Sequence, residues 1–180
     1  TVELPVFDKS HDDRDAAHPQ VVELPVKVII LEGWCIGAEP QTAAQIEKPI
    51  NALESQKDPN GEWRHFVNQA LSQDYAELFS LVDCWVMLKA PSFDCVYQWR
   101  IEQEQKMATK LGVDFFSENH KAHPGIMNTE EIQYFIDHFQ RVTEHGFATL
   151  PKKMHHLYEL DAQRKIISHS QPIAMTNTPT

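Results

Sequence analysis

Six glycines in 180 residues, none followed by lysine, leave no room for G-x-x-x-x-G-K-[ST], the backbone cradle that grips nucleotide phosphates. Cysteine is equally sparse. Cys35, Cys84 and Cys95 are odd in number and show no C-x-x-C spacing, which fits reduced thiols rather than redox or zinc work. Basic residues are too few for broad nucleic-acid binding: 16 Lys and Arg against 26 Asp and Glu give a net charge of -10, and displacing counterions from phosphates needs the opposite balance. No apolar run reaches the roughly 18 residues of a membrane helix, and no signal segment opens the chain, so a soluble, cytoplasmic protein without a membrane partner is expected. There is no G-x-S-x-G for nucleophilic hydrolysis, and no internal repeat.

Histidine is plentiful at ten, yet a metal reading has little to stand on. His120 and His123 in "HKAH" lack accompanying Cys or carboxylates at ligand spacing. His155 and His156 would point to opposite faces of a strand.

What is present fits one folded unit. Apolar residues at 42% and charged residues at 23% are ordinary for a globular chain of this length. Residues 1–169 are expected to form part of a single domain, with a disordered Pro/Thr-rich tail at 170–180. The first residues, "TVELPVFDKS", read as the middle of something, and a preceding N-terminal portion is expected.

"HDDRDAAHPQ" has no apolar period and reads as a loop. Val21 to Leu31 contains "VIIL", apolar on both pleat faces, as in a parallel strand covered by helices on both sides. Pro49 opens a short helix with Ile50 and Leu53, and "KDPNGE" breaks the chain. Trp63 to Phe79 carries a helical stripe, and "LVDCWVMLKAP" reads as a second buried strand. A helix over Ser92 to Leu111 ends at Gly112, and Val113 to Met127 is a long loop. Asn128 with Glu131 forms the cap of a helix ending near Gly146, and a third strand lies at His156 to Leu160. Strands alternating with helices predict an α/β layout with a mainly parallel sheet, where ligands bind at the carboxyl ends of strands. Glu32 falls at such an end. It could face a ligand or a metal ion, or be solvated or paired with a nearby Lys or Arg.

Three segments, "LPVFDKSHDDR" (Leu4 to Arg14), "VIILEGWCIGAEP" (Val28 to Pro40) and "VYQWRIEQEQKM" (Val96 to Met107), resemble the D-glycerate 3-kinase-like branch of the P-loop kinases, related to phosphoribulokinase, uridine kinase and pantothenate kinase. The likeness covers about Leu4 to Leu160. It implies an α/β, P-loop kinase-like fold with a mainly parallel sheet flanked by helices, missing its N-terminal P-loop unit. It implies ATP-dependent transfer to a hydroxyl of a small metabolite, D-glycerate first, with Mg²⁺. A nucleoside or pantothenate-like acceptor is an alternative, as is a non-catalytic interaction or regulatory domain that kept the fold. Glu32 in "ILEGW" would be the metal-side acid. Asp8, Lys9, Asp13 and Arg14 would bind the substrate, with Asp13 orienting Arg14. Arg100 would be a lid-type arginine reaching ATP and the moving phosphoryl group; from the residues alone, an intrahelical pair with Glu104 is equally open. Trp34 and Trp99 could shape a pocket or be plain core. The partners implied are ATP, a small-molecule substrate and the protein's own N-terminal P-loop segment.

Overall fold

The computed structural model describes residues 1–8, 13–110, 112, 114–115 and 127–174. It divides into two compact units, Thr1–Trp34 and Cys35–Thr180.

The first unit is a two-stranded antiparallel ribbon of β1 (Val2–Asp8) and β2 (Asp13–Val22), paired from Val2↔Val22 to Asp8↔Asp13. The "HDDRDAAHPQ" stretch, expected as a loop, thus supplies most of a strand. An isolated ribbon has little buried face, so nothing demands apolar alternation from its polar strand. Register shifts between Leu4 and Val6, where Pro5 has no N–H for the ladder. Across from that shift, the Asp15 carboxylate accepts the backbone N–H groups of Ala17 (3.0 Å) and His18 (3.2 Å), a local turn set into the strand.

The "VIIL" strand is not there. Val28, Ile29, Ile30 and Leu31 belong to no strand among the described residues and are 72%, 86%, 84% and 52% exposed. Apolar composition favours a strand only when another strand and a covering layer receive it, and these residues have neither.

The second unit holds a three-stranded sheet. β3 (Val86–Lys89) runs parallel to β4 (His156–Leu160), and β5 (Ile166–Ser170) closes antiparallel on β4. The sheet is therefore mixed, with one parallel pair, rather than mainly parallel. Its inner face is built by Met87 and Leu157 against Trp85, Leu150 and Met154. The expected full burial of the "WVML" strand fails on the other face, where Val86 and Leu88 are 55% and 63% exposed. On the inner face Lys89 pairs with Glu159 at 3.2 Å. The Ser168 hydroxyl and then Lys89 hold the Glu159 carboxyl below its ordinary value.

Among the described residues, six α-helices accompany this sheet. The short α1 (Ala43–Ile46) was not foreseen, and α2 (Ala52–Lys57) starts from Asn51, whose side chain accepts the Glu54 N–H, rather than at Pro49. The predicted single helix at 63–79 is two, α3 (Glu62–Ser72) and α4 (Asp74–Ser80), interrupted at Gln73. α5 (Phe93–Lys110) and α6 (Thr129–Thr149) match expectation closely, α6 continuing past Gly146. Asn128 and Glu131 exchange backbone N–H bonds at 2.9 and 2.8 Å, the predicted reciprocal cap. Ala108, Ile132 and Ile136, with Phe115, make the core between these two helices, and Tyr97 and Ile101 pack on it. Gly112 lies in the described turn after α5, at φ +68°; of the predicted 113–127 loop only 114, 115 and 127 are described, and the expected 170–180 tail begins inside β5 and is described to 174.

Candidate functional site

Antiparallel pairing brings three of the four expected acceptor-binding residues to one end of the ribbon. Asp8 closes β1, Asp13 opens β2 directly opposite, and Arg14 pairs across from Phe7. Lys9 lies outside the described residues. Asp13 does not orient the Arg14 guanidinium as expected. Its Oδ1 accepts Arg14's backbone N–H at 2.7 Å, and among the described residues the exposed guanidinium has no partner. A planar cation left uncompensated in this way suits a carboxylate or phosphate.

Glu32 is exposed and lies in the irregular segment before a turn rather than at a strand end. The chain then turns sharply: Cys35 has φ 65° and Gly37 φ 81°. A Cβ on Gly37 would stand 2.8 Å from the Trp85 ring, so the "GWCIG" glycine is required both by backbone conformation and by this close approach. Burial pushes the Cys35 thiol up, and a hydrogen bond with Thr143, sulfur to oxygen 3.8 Å, offsets part of that. No three His, Cys, Asp or Glu side chains converge as metal ligands among the described residues. A single carboxylate still fits Mg²⁺, which keeps several waters and takes one or two carboxylates beside phosphate oxygens.

Arg100 sits on α5 in a fixed setting. Its Nη1 donates to Gln103 Oε1 at 2.8 Å, its Nη2 lies 2.5 Å from Glu104 Oε1, and its guanidinium covers the Phe135 ring at 5.5 Å from the centroid. The intrahelical pair read from the sequence exists, and it is not a surface pair, because Glu104 is 0% exposed. Trp99 points elsewhere. Its Nε1 donates to the Ala162 carbonyl at 2.8 Å and Arg164 covers its ring, so it fastens α5 to the β4–β5 turn.

A second constellation was not foreseen. Glu54, Asp58, Arg64 and Arg141 are all buried. Arg141 binds both Glu54 oxygens and the carbonyls of Gln45 and Lys48, while Arg64 donates to the carbonyls of Ile46 and Asp58. Beside it opens a cleft of about 360 Å³, walled by Trp63, Phe66, Val67 and Leu71 of α3 and by His138 and Val142 of α6. Trp63 and His138 stack at 6.3 Å. The apolar stripe of α3 therefore lines an open cleft, and Phe66 is 73% exposed. With both guanidiniums already saturated, this cleft offers apolar surface and little free charge. Nothing in the local sequence separates these four charged residues from surface ones; only the N-cap spacing from Asn51 to Glu54 was readable.

No family model matches the chain. Over 165 residues it is 27% identical to the "uncharacterized kinase mug58" of Schizosaccharomyces pombe, covering 86% of this chain and 52% of that protein. Over 111 residues it is 31% identical to the chloroplastic D-glycerate 3-kinase of Arabidopsis thaliana, covering 59% of this chain and 22% of that protein. Its fold matches that of the D-glycerate 3-kinase from Cryptococcus neoformans var. grubii with a TM-score of 0.70 at 24% identity, over 94% of this chain and 59% of that one. The resemblance to D-glycerate 3-kinase-like kinases holds. This chain spans about half or less of the curated relatives' length. The structural match supports an α/β fold of helices with small sheets. Among the described residues no helix is long and apolar enough to cross a membrane.

Proposed function

We propose that this chain is part of an ATP-dependent kinase that phosphorylates a hydroxyl of a small metabolite, with D-glycerate the first candidate. One observation carries the reading: similarity to a kinase-named relative runs through 86% of the chain, and the D-glycerate 3-kinase fold through 94%. Phosphoryl transfer is catalysed mainly by positioning and charge neutralisation, so the residues required are holders of charge rather than nucleophiles.

The roles assigned are these. Arg14, Asp8, Lys9 and Asp13 bind the acceptor's carboxylate and hydroxyls. Glu32 holds magnesium through its oxygens or its waters, and the bound cation supplies charge neutralisation on the phosphate chain. Arg100 donates to the moving phosphoryl group. No phosphate cradle occurs in these 180 residues, so the nucleotide's phosphates require a P-loop segment outside them. The uncovered face of β3 gives such a segment apolar surface to bury.

The test is phosphate transfer by the protein expressed from its complete coding sequence, offered D-glycerate, uridine and pantothenate in turn. Transfer to glycerate alone supports the first reading, and transfer to another acceptor replaces the substrate. Failure with all three, together with a degraded cradle upstream, favours a non-catalytic interaction domain. Within an active protein, Glu32→Gln should reduce turnover far more than it lowers Tm; an unchanged rate removes Glu32 from the metal.

A further inference from the structure

We infer that Glu104 is the positioning residue for Arg100, holding its guanidinium in place on α5 so that it acts without swinging in; this rests on the kinase reading above.

The inference starts from burial. Glu104 is 0% exposed in the middle of α5, a costly place for a carboxylate unless partners compensate it. Two do. Arg100 Nη2 stands 2.5 Å from Oε1, and the backbone N–H of Met127 donates to Oε2 at 3.2 Å. Met127 immediately precedes Asn128, the N-cap of α6, so one carboxylate joins the arginine's turn of α5 to the entry of α6. Withdrawing Arg100 would leave a buried charge with a single neutral donor. The fold therefore resists any motion that separates the pair.

The same contacts leave Arg100 unspent. The Oε1 approach is an ion pair rather than an aligned hydrogen bond: Oε1 has no hydrogen-bond partner, and neither does the buried Nε of Arg100. Gln103 takes one Nη1 hydrogen and Phe135 supports one face of the plane. The arginine side chain remains 23% exposed. A guanidinium held on three sides and still partly exposed is oriented in advance for an anionic oxygen, and no rotamer has to be frozen when that oxygen arrives. The R-x-x-Q-E spacing of "WRIEQE" is then one device: the arginine, its side support and its buried counter-charge.

Steady-state kinetics of the complete protein test this. Glu104→Gln keeps an oxygen for the Met127 N–H and removes the charge that fixes Arg100. The expected result is a fall in kcat of about 10–100-fold, the range for loss of an orienting partner, with the acceptor KM unchanged. In an Arg100→Met background the same substitution should do almost nothing more. A kcat within twofold of wild type despite a lowered Tm, or a full additional loss in the Arg100→Met background, overturns the proposal and leaves Glu104 a structural strut. An active wild type in which Arg100→Met has no kinetic effect overturns it while sparing the kinase reading. If Glu104→Gln does not fold, the ¹⁵N-edited Nε–H signal of Arg100 in the wild type decides: a distinct, slowly exchanging resonance supports a fixed guanidinium, and a solvent-averaged one sinks it. That signal also answers when the wild type transfers no phosphate, an outcome that removes the kinase reading and leaves Glu104 only the fixing of Arg100.

Discussion

Arg141 grips both oxygens of Glu54, Nε to Oε1 at 2.7 Å and Nη2 to Oε2 at 2.6 Å, across 87 positions of chain. The pair ties α6 to α2, other Arg141 donors end on the carbonyls of Gln45 and Lys48, and Asn51 adds bonds to the Asp137 carbonyl and the Gln140 side chain, so Arg141 and Asn51 together hold the α1–α2 segment to α6. Removing Glu54 strands the buried Arg141 charge, and removing Arg141 leaves Glu54 with only the Arg64 guanidinium, 3.7 Å away, as counter-charge. Glu54→Gln and Arg141→Met should each destabilise by about 3–5 kcal/mol, and the double variant by clearly less than the sum. Urea denaturation of the four proteins measures the coupling; additive losses would mean that the two side chains act separately.

Gly37 makes a sharper local prediction. At φ 81°, with the Trp85 ring 2.8 Å from where a Cβ would stand, Gly37→Ala meets both backbone strain and overlap with a ring in the sheet's inner core. A loss of about 1–3 kcal/mol is expected, with a change in tryptophan fluorescence as Trp85 shifts. An unaltered Tm and spectrum would show that the turn adapts freely.

Features legible in the sequence are those whose cause is local. The Asn128–Glu131 cap, the length of α5 and the short run at β4 each rest on neighbours a few residues away. Position in a sheet is not local. "VIIL" has the composition of a covered strand and belongs to none, while β2 is polar and pairs with β1 at both of its ends. Among the site residues, the Arg100–Glu104 spacing was readable as an i,i+4 pair, whereas its burial depends on α6. Arg141 and Glu54 carry no local mark of being internal, because each is buried by a partner distant in sequence.

Cys35 and Cys84 should separate by reactivity. The thiolate is the nucleophile, and burial both raises the Cys35 pKa and restricts access to its sulfur, whereas Cys84 is exposed. Iodoacetamide followed by peptide mass analysis should find Cys84 modified first, with Cys35 catching up only as pH rises well past about 8.5 or as the protein unfolds. The sign for stability follows. A raised folded-state pKa means that the fold favours the neutral thiol, so its contribution is full below the unfolded pKa and is lost as pH climbs from there towards the folded value. Equal labelling of both thiols at pH 8 in the folded protein would contradict the burial.

Arg14 offers the cleanest probe of the acceptor end. Its guanidinium has no partner among the described residues, and Asp13 beside it is committed to Arg14's own backbone N–H, so substitution disturbs no visible contact of that side chain. A charged hydrogen bond to an anionic acceptor is worth roughly 1.5–3 kcal/mol, which sets the expected rise in acceptor KM for Arg14→Ala at about 10–100-fold, with the KM for ATP little changed. Arg14→Lys restores the charge without the two-pronged geometry and should recover only part of the loss. If both KM values rise together, Arg14 serves the nucleotide or the fold, and the ribbon end is not where the acceptor is read.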